Sequence, residues 1–371
     1  MSFAEQLDTV DLVSMRSRID SMRERDVEAV LSGKSTDFLP LLSPAAVPQL
    51  EVMAQRARNE TVQRFGREIL LYAPMYLSNH CINGCRYCGF HSGAATARVA
   101  LSEEEVIEEG RHLRDIGFQH VLVVSGESPS HFSTSRLRSA IRVLAPMFSS
   151  ISIEVQPFST IEYSEMAEAG ADGVTLYQET YLREVYSQMH LFGPKRDFAA
   201  RLDAIERAGQ AGIRRLGIGA LLGLGDFRAE AIALMLHAEY LLKRFWRSQL
   251  TISIPRLRKR ADGGRIPNPL SDLNLVQLLL ALRIHLPEAG LVLSTREPAD
   301  LRDQLIRLGI TQMSAGSRTE PGGYRRATPA GEQFAVTDRR SPAEVVEAVC
   351  RAGFNPVWKD WDREMNQGVS H

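Results

Sequence analysis

Short apolar runs alternate with amphipathic helical patterns along most of this 371-residue chain. A continuous apolar run is typical of a strand buried on both faces, and helices between such strands favour a parallel sheet with both faces covered. Eight strand–helix repeats are the number at which a parallel sheet closes. The sequence therefore predicts an α/β fold, a (β/α)8 barrel of the TIM type, with a doubly wound open sheet as the alternative. The predicted strands cover residues 69–77, 120–124, 151–155, 173–177, 216–219, 250–254, 291–294 and 310–313.

The first 68 residues are polar and helix-favouring, and no strand pattern interrupts them. We expect residues 1–68 to form a helical N-terminal extension, and residues 69–371 to form the barrel with a C-terminal segment. No apolar run approaches the roughly 20 residues of a membrane span, and the N-terminus lacks a signal-peptide core. A formal net charge of −1 gives no general attraction to nucleic acid or anionic lipid. The sequence thus predicts a cytoplasmic protein that binds neither nucleic acid nor membrane.

Three of the four cysteines lie within eight residues, as Cys81, Cys85 and Cys88, in the spacing C-x-x-x-C-x-x-C. Thiolates are soft ligands for zinc or for an iron–sulfur cluster, and a closed site of either kind needs four ligands. His80 or His91 could supply the fourth ligand to zinc. A disulfide fits poorly in a cysteine-poor cytosolic chain. The spacing predicts a metal or cluster site with one coordination position that no cysteine fills.

Polar residues follow most of the predicted strands, at the carboxyl ends where parallel barrels gather their chemistry. Arg296 follows the seventh strand, and a guanidinium there can bind a carboxylate in bidentate fashion. The alternative is a surface ion pair between Arg296 and the adjacent Glu297. Ser314 lies just beyond the eighth strand. Their shared placement predicts one cavity, and the other polar residues at strand ends are Glu127, Glu154, Gln156, Gln178, Glu179, Arg256, Arg258 and Ser317.

The cysteine spacing, with the aromatic Tyr87 before the third cysteine, resembles the signature of the radical S-adenosylmethionine enzymes. That resemblance implies a [4Fe–4S] cluster on Cys81, Cys85 and Cys88, whose fourth iron binds S-adenosylmethionine. An electron from the reduced cluster then cleaves the sulfonium and releases a 5′-deoxyadenosyl radical. The positions that the resemblance assigns to the cofactor are Tyr87, Glu127, Glu154, Gln156, Gln178 and Gly219.

For several of these positions the resemblance implies a specific cofactor contact, and a purely structural role is the alternative. Glu127, in Ser-Gly-Glu, would pair with the methionine ammonium, although Gly-Glu is also a common turn. Glu154 and Gln156 would bind ribose hydroxyls, or they form an exposed pair at a strand end. Gly219 would let the backbone of the fifth strand approach the adenine, or it serves packing alone.

Motifs along nearly the whole chain resemble one branch of that family, the tyrosine lyases of thiamine biosynthesis, or 2-iminoacetate synthases. The resemblance implies cleavage of the Cα–Cβ bond of L-tyrosine to 2-iminoacetate and p-cresol, with 5′-deoxyadenosine and methionine as co-products. Arg296 and Ser314 would then be the catalytic residues on the substrate side. Thiazole synthase would accept the product, and a flavodoxin- or ferredoxin-type protein would donate electrons. The motifs lie at residues 42–46, 74–79, 87–90, 154–157, 177–181, 255–258, 294–297, 321–324 and 357–362.

Three alternatives remain open. The tyrosine lyase of [FeFe]-hydrogenase maturation carries further C-terminal cysteines, whereas here only Cys350 follows Cys88. A tryptophan lyase of peptide-antibiotic pathways has Cys-x-Met-Cys in its cluster loop, where this chain has Cys-Arg-Tyr-Cys. The third alternative is a zinc-stabilised scaffold without catalysis.

Overall fold

The computed structural model describes residues 1–325 and 330–359 and contains one sheet of nine strands. These are β1 (Glu68–Ser78), β2 (His120–Ser125), β3 (Ser150–Glu154), β4 (Gly173–Thr175), β5 (Arg215–Gly219), β6 (Gln249–Ser253), β7 (Gly290–Leu293), β8 (Gln312–Ser314) and β9 (Asn355–Val357). Strands β1 to β8 pair in parallel in chain order, and β1 pairs with both β2 and β8. The barrel is therefore closed. The predicted (β/α)8 fold is confirmed, and the open-sheet alternative is wrong.

The helices lie outside the barrel, and several begin with the side-chain caps that their sequences predict. Ser102 and Glu105 form a reciprocal capping box at the start of α5, in which each side chain accepts a hydrogen bond from the backbone amide of the other. The helices are α1 (Phe3–Asp8), α2 (Leu12–Ser21), α3 (Glu24–Leu31), α4 (Leu50–Phe65), α5 (Glu103–Asp115), α6 (Thr134–Leu144), α7 (Thr160–Ala169), α8 (Arg183–Met189), α9 (Phe198–Leu202), α10 (Ala204–Gln210), α11 (Phe227–Arg244), α12 (Asp272–His285), α13 (Ala299–Leu305) and α14 (Pro342–Arg351).

Alternate residues of each strand face opposite sides of the barrel wall. Val121 and Ile153 face outward and are fully buried under the helices, whereas Tyr72, Leu122 and Ser152 face the barrel interior. The apolar core therefore lies between the sheet and the surrounding helices. The interior of the barrel holds polar and apolar side chains together.

The N-terminal helices pack against helices of the barrel. Helix α2 contacts α11, and α4 contacts α12. Phe3 stacks on His237 of α11 with ring centroids 4.3 Å apart, and the Ala4 amide donates to Asp203 at 2.9 Å. None of the helices in the described residues is both long and apolar enough to cross a membrane.

The C-terminal segment contacts the barrel at both of the barrel's ends. Strand β9 pairs in parallel with the start of β1, with Glu68 opposite Asn355, and it was not predicted. At the other end, residues 332–338 cross the mouth of the barrel. The Gly89 amide donates to the Gln333 carbonyl at 2.8 Å, and the Thr337 amide donates to the Thr295 carbonyl at 3.0 Å. The predicted motif at residues 357–362 continues past the described residues from position 360 onward.

Candidate active site

A cavity lies at the carboxyl ends of the barrel strands. Five of the predicted site residues line it, and they come from four separate segments of the chain: Tyr87, Cys88, Glu154, Arg296 and Ser314. The fold thus brings one cluster cysteine and the predicted substrate residues to a single space.

The cysteine loop, residues 81–88, is held from two sides by backbone hydrogen bonds. The Ile82 amide donates to the Glu127 carbonyl at 2.9 Å, so the loop rests on the segment after β2. On the other side, the Gly84 amide donates to the Phe192 carbonyl at 3.0 Å, and the Arg86 amide donates to the Met189 carbonyl at 3.1 Å. The loop conformation is therefore set before any ligand binds.

The three thiols fit a cluster better than a single metal ion. All are free cysteines, and Cys88 faces the cavity, while Cys85 is buried behind it. Among residues 1–325 and 330–359, no three His, Cys, Asp or Glu side chains are arranged to hold one metal ion. A [4Fe–4S] cluster places each thiolate on a different iron, so its ligands need not converge on one point.

Donors beside the sulfurs also suit a thiolate cluster. The Phe90 amide donates to Cys88 Sγ at 3.4 Å, and the Asn83 side-chain amide lies 3.7 Å from Cys81 Sγ. Hydrogen bonds to the sulfurs are one means by which proteins set cluster potentials. Burial raises the pKa of Cys85 and raises that of Cys88 to about 12, so iron must displace protons from both thiols as it binds.

Glu127 lies against the cysteine loop rather than on the cavity wall. Its Oε2 accepts a hydrogen bond from the Asn83 side-chain amide at 2.6 Å. Gly126 beside it is required by the same contact, because a Cβ there would come within 2.4 Å of the His80 carbonyl oxygen. The Ser-Gly-Glu segment is therefore fitted to the loop, with its carboxylate next to Cys81.

Three other predicted cofactor residues are not among the described residues that line the cavity. Gln178 is buried and donates to the Phe198 carbonyl at 3.2 Å, behind the cavity wall. Gln156 lies two residues past the end of β3 and is half-buried. A Cβ on Gly219 would meet the Ser253 carbonyl oxygen at 2.4 Å and the Tyr177 ring at 2.7 Å. Packing of Tyr177 against the strand therefore explains this glycine.

Glu179, next to Gln178, is the residue that enters the cavity. It accepts from Lys195 Nζ at 2.7 Å, and Arg201 lies 3.8 Å away. Burial by itself would raise the pKa of Glu179, but Lys195 and Arg201 outweigh it, and the pKa is lowered. Glu179 is therefore ionised, and the pair places a fixed dipole on the cavity wall.

An unusual backbone conformation turns Glu179 inward. Its φ of 71° is in the left-handed region, which is costly for a residue with a side chain. Buried Glu230 of α11 fixes the next two residues, because it accepts hydrogen bonds from the Thr180 hydroxyl and from the Tyr181 amide, the latter at 2.7 Å. Burial raises the pKa of Glu230 to about 7.

Arg296 is a half-buried cation at the cavity, and it lacks a carboxylate partner among residues 1–325 and 330–359. Its guanidinium stacks on the Phe334 ring at 3.5 Å, and within the described chain no carboxylate oxygen lies within 4.0 Å of it. Glu297 is instead bound by Arg256 and by Arg258 from the end of β6. The alternative of an Arg296–Glu297 pair is therefore wrong. The guanidinium is free to bind an anion in the cavity.

Neutral side chains make up much of the remaining wall. Burial raises the pKa of Tyr72 and of Tyr76, so both phenols stay protonated at neutral pH. The Tyr76 hydroxyl donates to Gln333 at 2.7 Å, and Ser314 lies opposite Tyr72 in the β1–β8 pair. Burial, together with Glu179, raises the pKa of Glu154 to about 7.

Two family models match the chain. The Radical SAM superfamily matches residues 75–238, and the Biotin and Thiamin Synthesis associated domain matches residues 253–355. The chain is 40% identical to the 2-iminoacetate synthase of Escherichia coli over 97% of each chain, and 40% identical to that of Salmonella typhimurium over the same shares. Its fold is similar to the [FeFe]-hydrogenase maturase HydG of Carboxydothermus hydrogenoformans, with a TM-score of 0.83 at 34% identity, over 96% of this chain and 83% of that one.

Proposed function

We propose, from the premise that this chain belongs to the 2-iminoacetate synthase family of radical S-adenosylmethionine enzymes, that it cleaves L-tyrosine at its Cα–Cβ bond. The products are 2-iminoacetate and p-cresol, with 5′-deoxyadenosine and methionine from the cofactor. The observation that carries this proposal is that Cys88 lines the same cavity as Arg296, which has no carboxylate partner in the described part of the chain.

Cys81, Cys85 and Cys88 would hold a [4Fe–4S] cluster, and S-adenosylmethionine would bind beside it. When bound and reduced, the two supply the carbon radical that takes a hydrogen atom from the tyrosine amine. Glu127, held by Asn83 next to Cys81, is the carboxylate placed to bind the ammonium of the methionine moiety. Tyr87 lies directly before Cys88 and forms the wall between the cluster loop and the cavity.

Other cofactor contacts are assigned from their position in the cavity. Glu154 at the end of β3 is the acceptor for ribose hydroxyls, and Gln156 belongs to the same strand end. Gln178 and Gly219 lie behind the cavity wall and support it. We therefore assign the contact with a bound ligand to Glu179 rather than to Gln178. Lys195 keeps Glu179 ionised.

On the substrate side, Arg296 would bind the tyrosine carboxylate through two parallel N–H bonds, and Phe334 would hold the guanidinium plane in place. Ser314 and Tyr72 offer hydroxyls on the neighbouring strands. Residues 332–338 cross the mouth of the barrel, and shielding of the cavity by this segment would protect a radical from side reactions.

The reaction also implies partners and a place in the cell. Thiazole synthase would take up 2-iminoacetate, which hydrolyses readily, and a flavodoxin- or ferredoxin-type protein would supply electrons. The cytoplasm is the compartment that keeps both the cluster thiols and these partners available.

Anaerobic turnover tests the proposed function. The reconstituted protein is incubated with dithionite, S-adenosylmethionine and either L-tyrosine, L-tryptophan or L-phenylalanine, and the small products are identified by mass spectrometry. The proposal expects p-cresol and 5′-deoxyadenosine with tyrosine. Turnover of tryptophan in its place would support the tryptophan lyase, and a colourless protein that holds zinc would support the scaffold.

A further inference from the structure

Three exposed apolar side chains form one patch on the outer side of the cysteine loop. Ile82, Leu191 and Phe192 are 42%, 43% and 50% exposed. They are contiguous, because the Leu191 amide donates to the Gly84 carbonyl at 3.2 Å, and Gly193 lies against the Ile82 carbonyl. Single exposed apolar residues are ordinary, but an apolar patch rimmed by polar groups marks an interaction surface. We refer to these three residues as the loop patch.

The loop patch lies directly on the residues between the first two cluster cysteines. The ring of Phe192 covers Gly84, where even a Cβ would come within 2.6 Å of the ring. Gly84 is therefore the residue that lets Phe192 lie flat on the loop between Cys81 and Cys85. A protein seated on Phe192 would be separated from these thiols by one layer of residues, whereas Cys88 lines the cavity.

The surroundings of the loop patch are basic. Arg86 together with residues 191–197 and 258–265 carries seven cationic and two acidic side chains, although the whole chain has 44 cations and 45 anions. These segments meet at Arg86, whose amide donates to Met189 and whose carbonyl accepts from the Asp262 amide at 3.2 Å. Lys195, Arg258 and Arg260 are paired internally, and the exposed cations are Arg86, Arg196, Lys259 and Arg265.

We propose that the loop patch is the docking surface for a small acidic one-electron carrier protein. This inference rests on the proposed function, since that reaction consumes electrons at the cluster. An apolar centre with a basic rim matches a partner with an apolar centre and an acidic rim. A second copy of this chain is disfavoured, because two basic rims would face each other. In each encounter the carrier loses one electron and the cluster gains it, and no covalent bond forms or breaks.

The test compares two electron sources in one set of variants. Phe192→Ser combined with Leu191→Ser removes the apolar centre, and Arg86→Glu reverses one rim charge. The controls are Trp246→Ser, which removes an aromatic ring that is 78% exposed, and Arg111→Glu, which reverses an exposed cation on α5. Binding of an acidic flavodoxin is measured by titration calorimetry at two salt concentrations. Cluster reduction is then followed by electron paramagnetic resonance, with either flavodoxin hydroquinone or dithionite as the reductant.

The proposal expects the loop-patch and Arg86 variants to bind flavodoxin at least tenfold more weakly and to slow its reduction of the cluster similarly. Reduction by dithionite and the circular dichroism spectrum should stay unchanged, and both controls should match the unmodified protein. Normal flavodoxin binding by the variants would overturn the proposal, as would variants that lose affinity for thiazole synthase alone. The proposed function fails separately, because it would show as cluster reduction without p-cresol in the unmodified protein.

Discussion

Removal of the Arg296 guanidinium should separate substrate binding from cofactor binding. The guanidinium is half-buried, lines the cavity, stacks on Phe334 and has no carboxylate partner among the described residues. A carboxylate that binds it would therefore form a desolvated, bidentate ion pair. Truncation of one partner of such a pair costs about 2–4 kcal/mol, or roughly 30- to 1,000-fold in affinity. Arg296→Lys keeps the charge but loses the fork, and we expect roughly a tenfold loss.

The assay measures tyrosine affinity and S-adenosylmethionine affinity for the same anaerobic, reconstituted variants. Arg258→Ala serves as a matched control, because it removes a guanidinium from a neighbouring strand end that is already bound to Glu297. The expected result is a raised KM for tyrosine in Arg296→Ala, with unchanged S-adenosylmethionine binding and continued slow release of 5′-deoxyadenosine. Weakened cofactor binding with normal tyrosine affinity would refute the assignment and move Arg296 to the cofactor side.

Three further outcomes follow from the site. Cys85→Ala should abolish 5′-deoxyadenosine formation by anaerobic chromatographic assay, since the cluster loses one iron ligand, and normal turnover would disprove the cluster assignment. Lys195→Met should lower the free energy of unfolding by about 3 kcal/mol, because it leaves the Glu179 carboxylate without its lysine partner. Adding Glu179→Gln should recover most of that loss in a urea titration. If the losses of the two single variants simply added in the double variant, the prediction would be contradicted. The pKa of Glu230 is raised to about 7, so folding favours its protonated form. Its contribution to the free energy of unfolding is therefore complete below about pH 4.5 and is lost as pH rises through about 7. The free energy of unfolding should fall by up to about 3 kcal/mol over that range, and less in Glu230→Gln, whereas equal pH slopes would show that Glu230 does not titrate there.

The fold was predictable because the strands are buried on both faces and the helices are amphipathic, so the pattern changes sharply at each boundary. Eight of the nine strands were found. Strand β9 was missed because its three residues, Asn355–Val357, contain a proline and form no apolar run. It exists because it pairs with the exposed start of β1, and that is a tertiary contact.

Site residues were predictable only where a local sequence feature, such as spacing or a position at a strand end, determines their role. The cysteine spacing and the strand-end position of Arg296 are local, so the sequence contained both. The resemblance assigned Gln178 to the cofactor, whereas the left-handed φ of 71° at Glu179, which the sequence does not indicate, turns the side chain of Glu179 toward the cavity. Lys195 reaches the cavity from a short 3₁₀ helix (Pro194–Arg196) beyond α8, and no pattern in the sequence indicates its contact with Glu179. The partners of Glu297 are Arg256 and Arg258, which follow β6, and the sequence likewise gives no sign of that pairing.

The most direct test of the central claim is pulsed electron–nuclear double resonance on the reduced cluster with S-adenosylmethionine carrying ¹⁵N in its amino group. The account holds that Cys81, Cys85 and Cys88 leave one iron for the cofactor. It predicts a ¹⁵N coupling to the cluster that appears on addition of the labelled cofactor. A cluster that shows no such coupling, and instead carries a nitrogen coupling from a protein histidine before the cofactor is added, would contradict it.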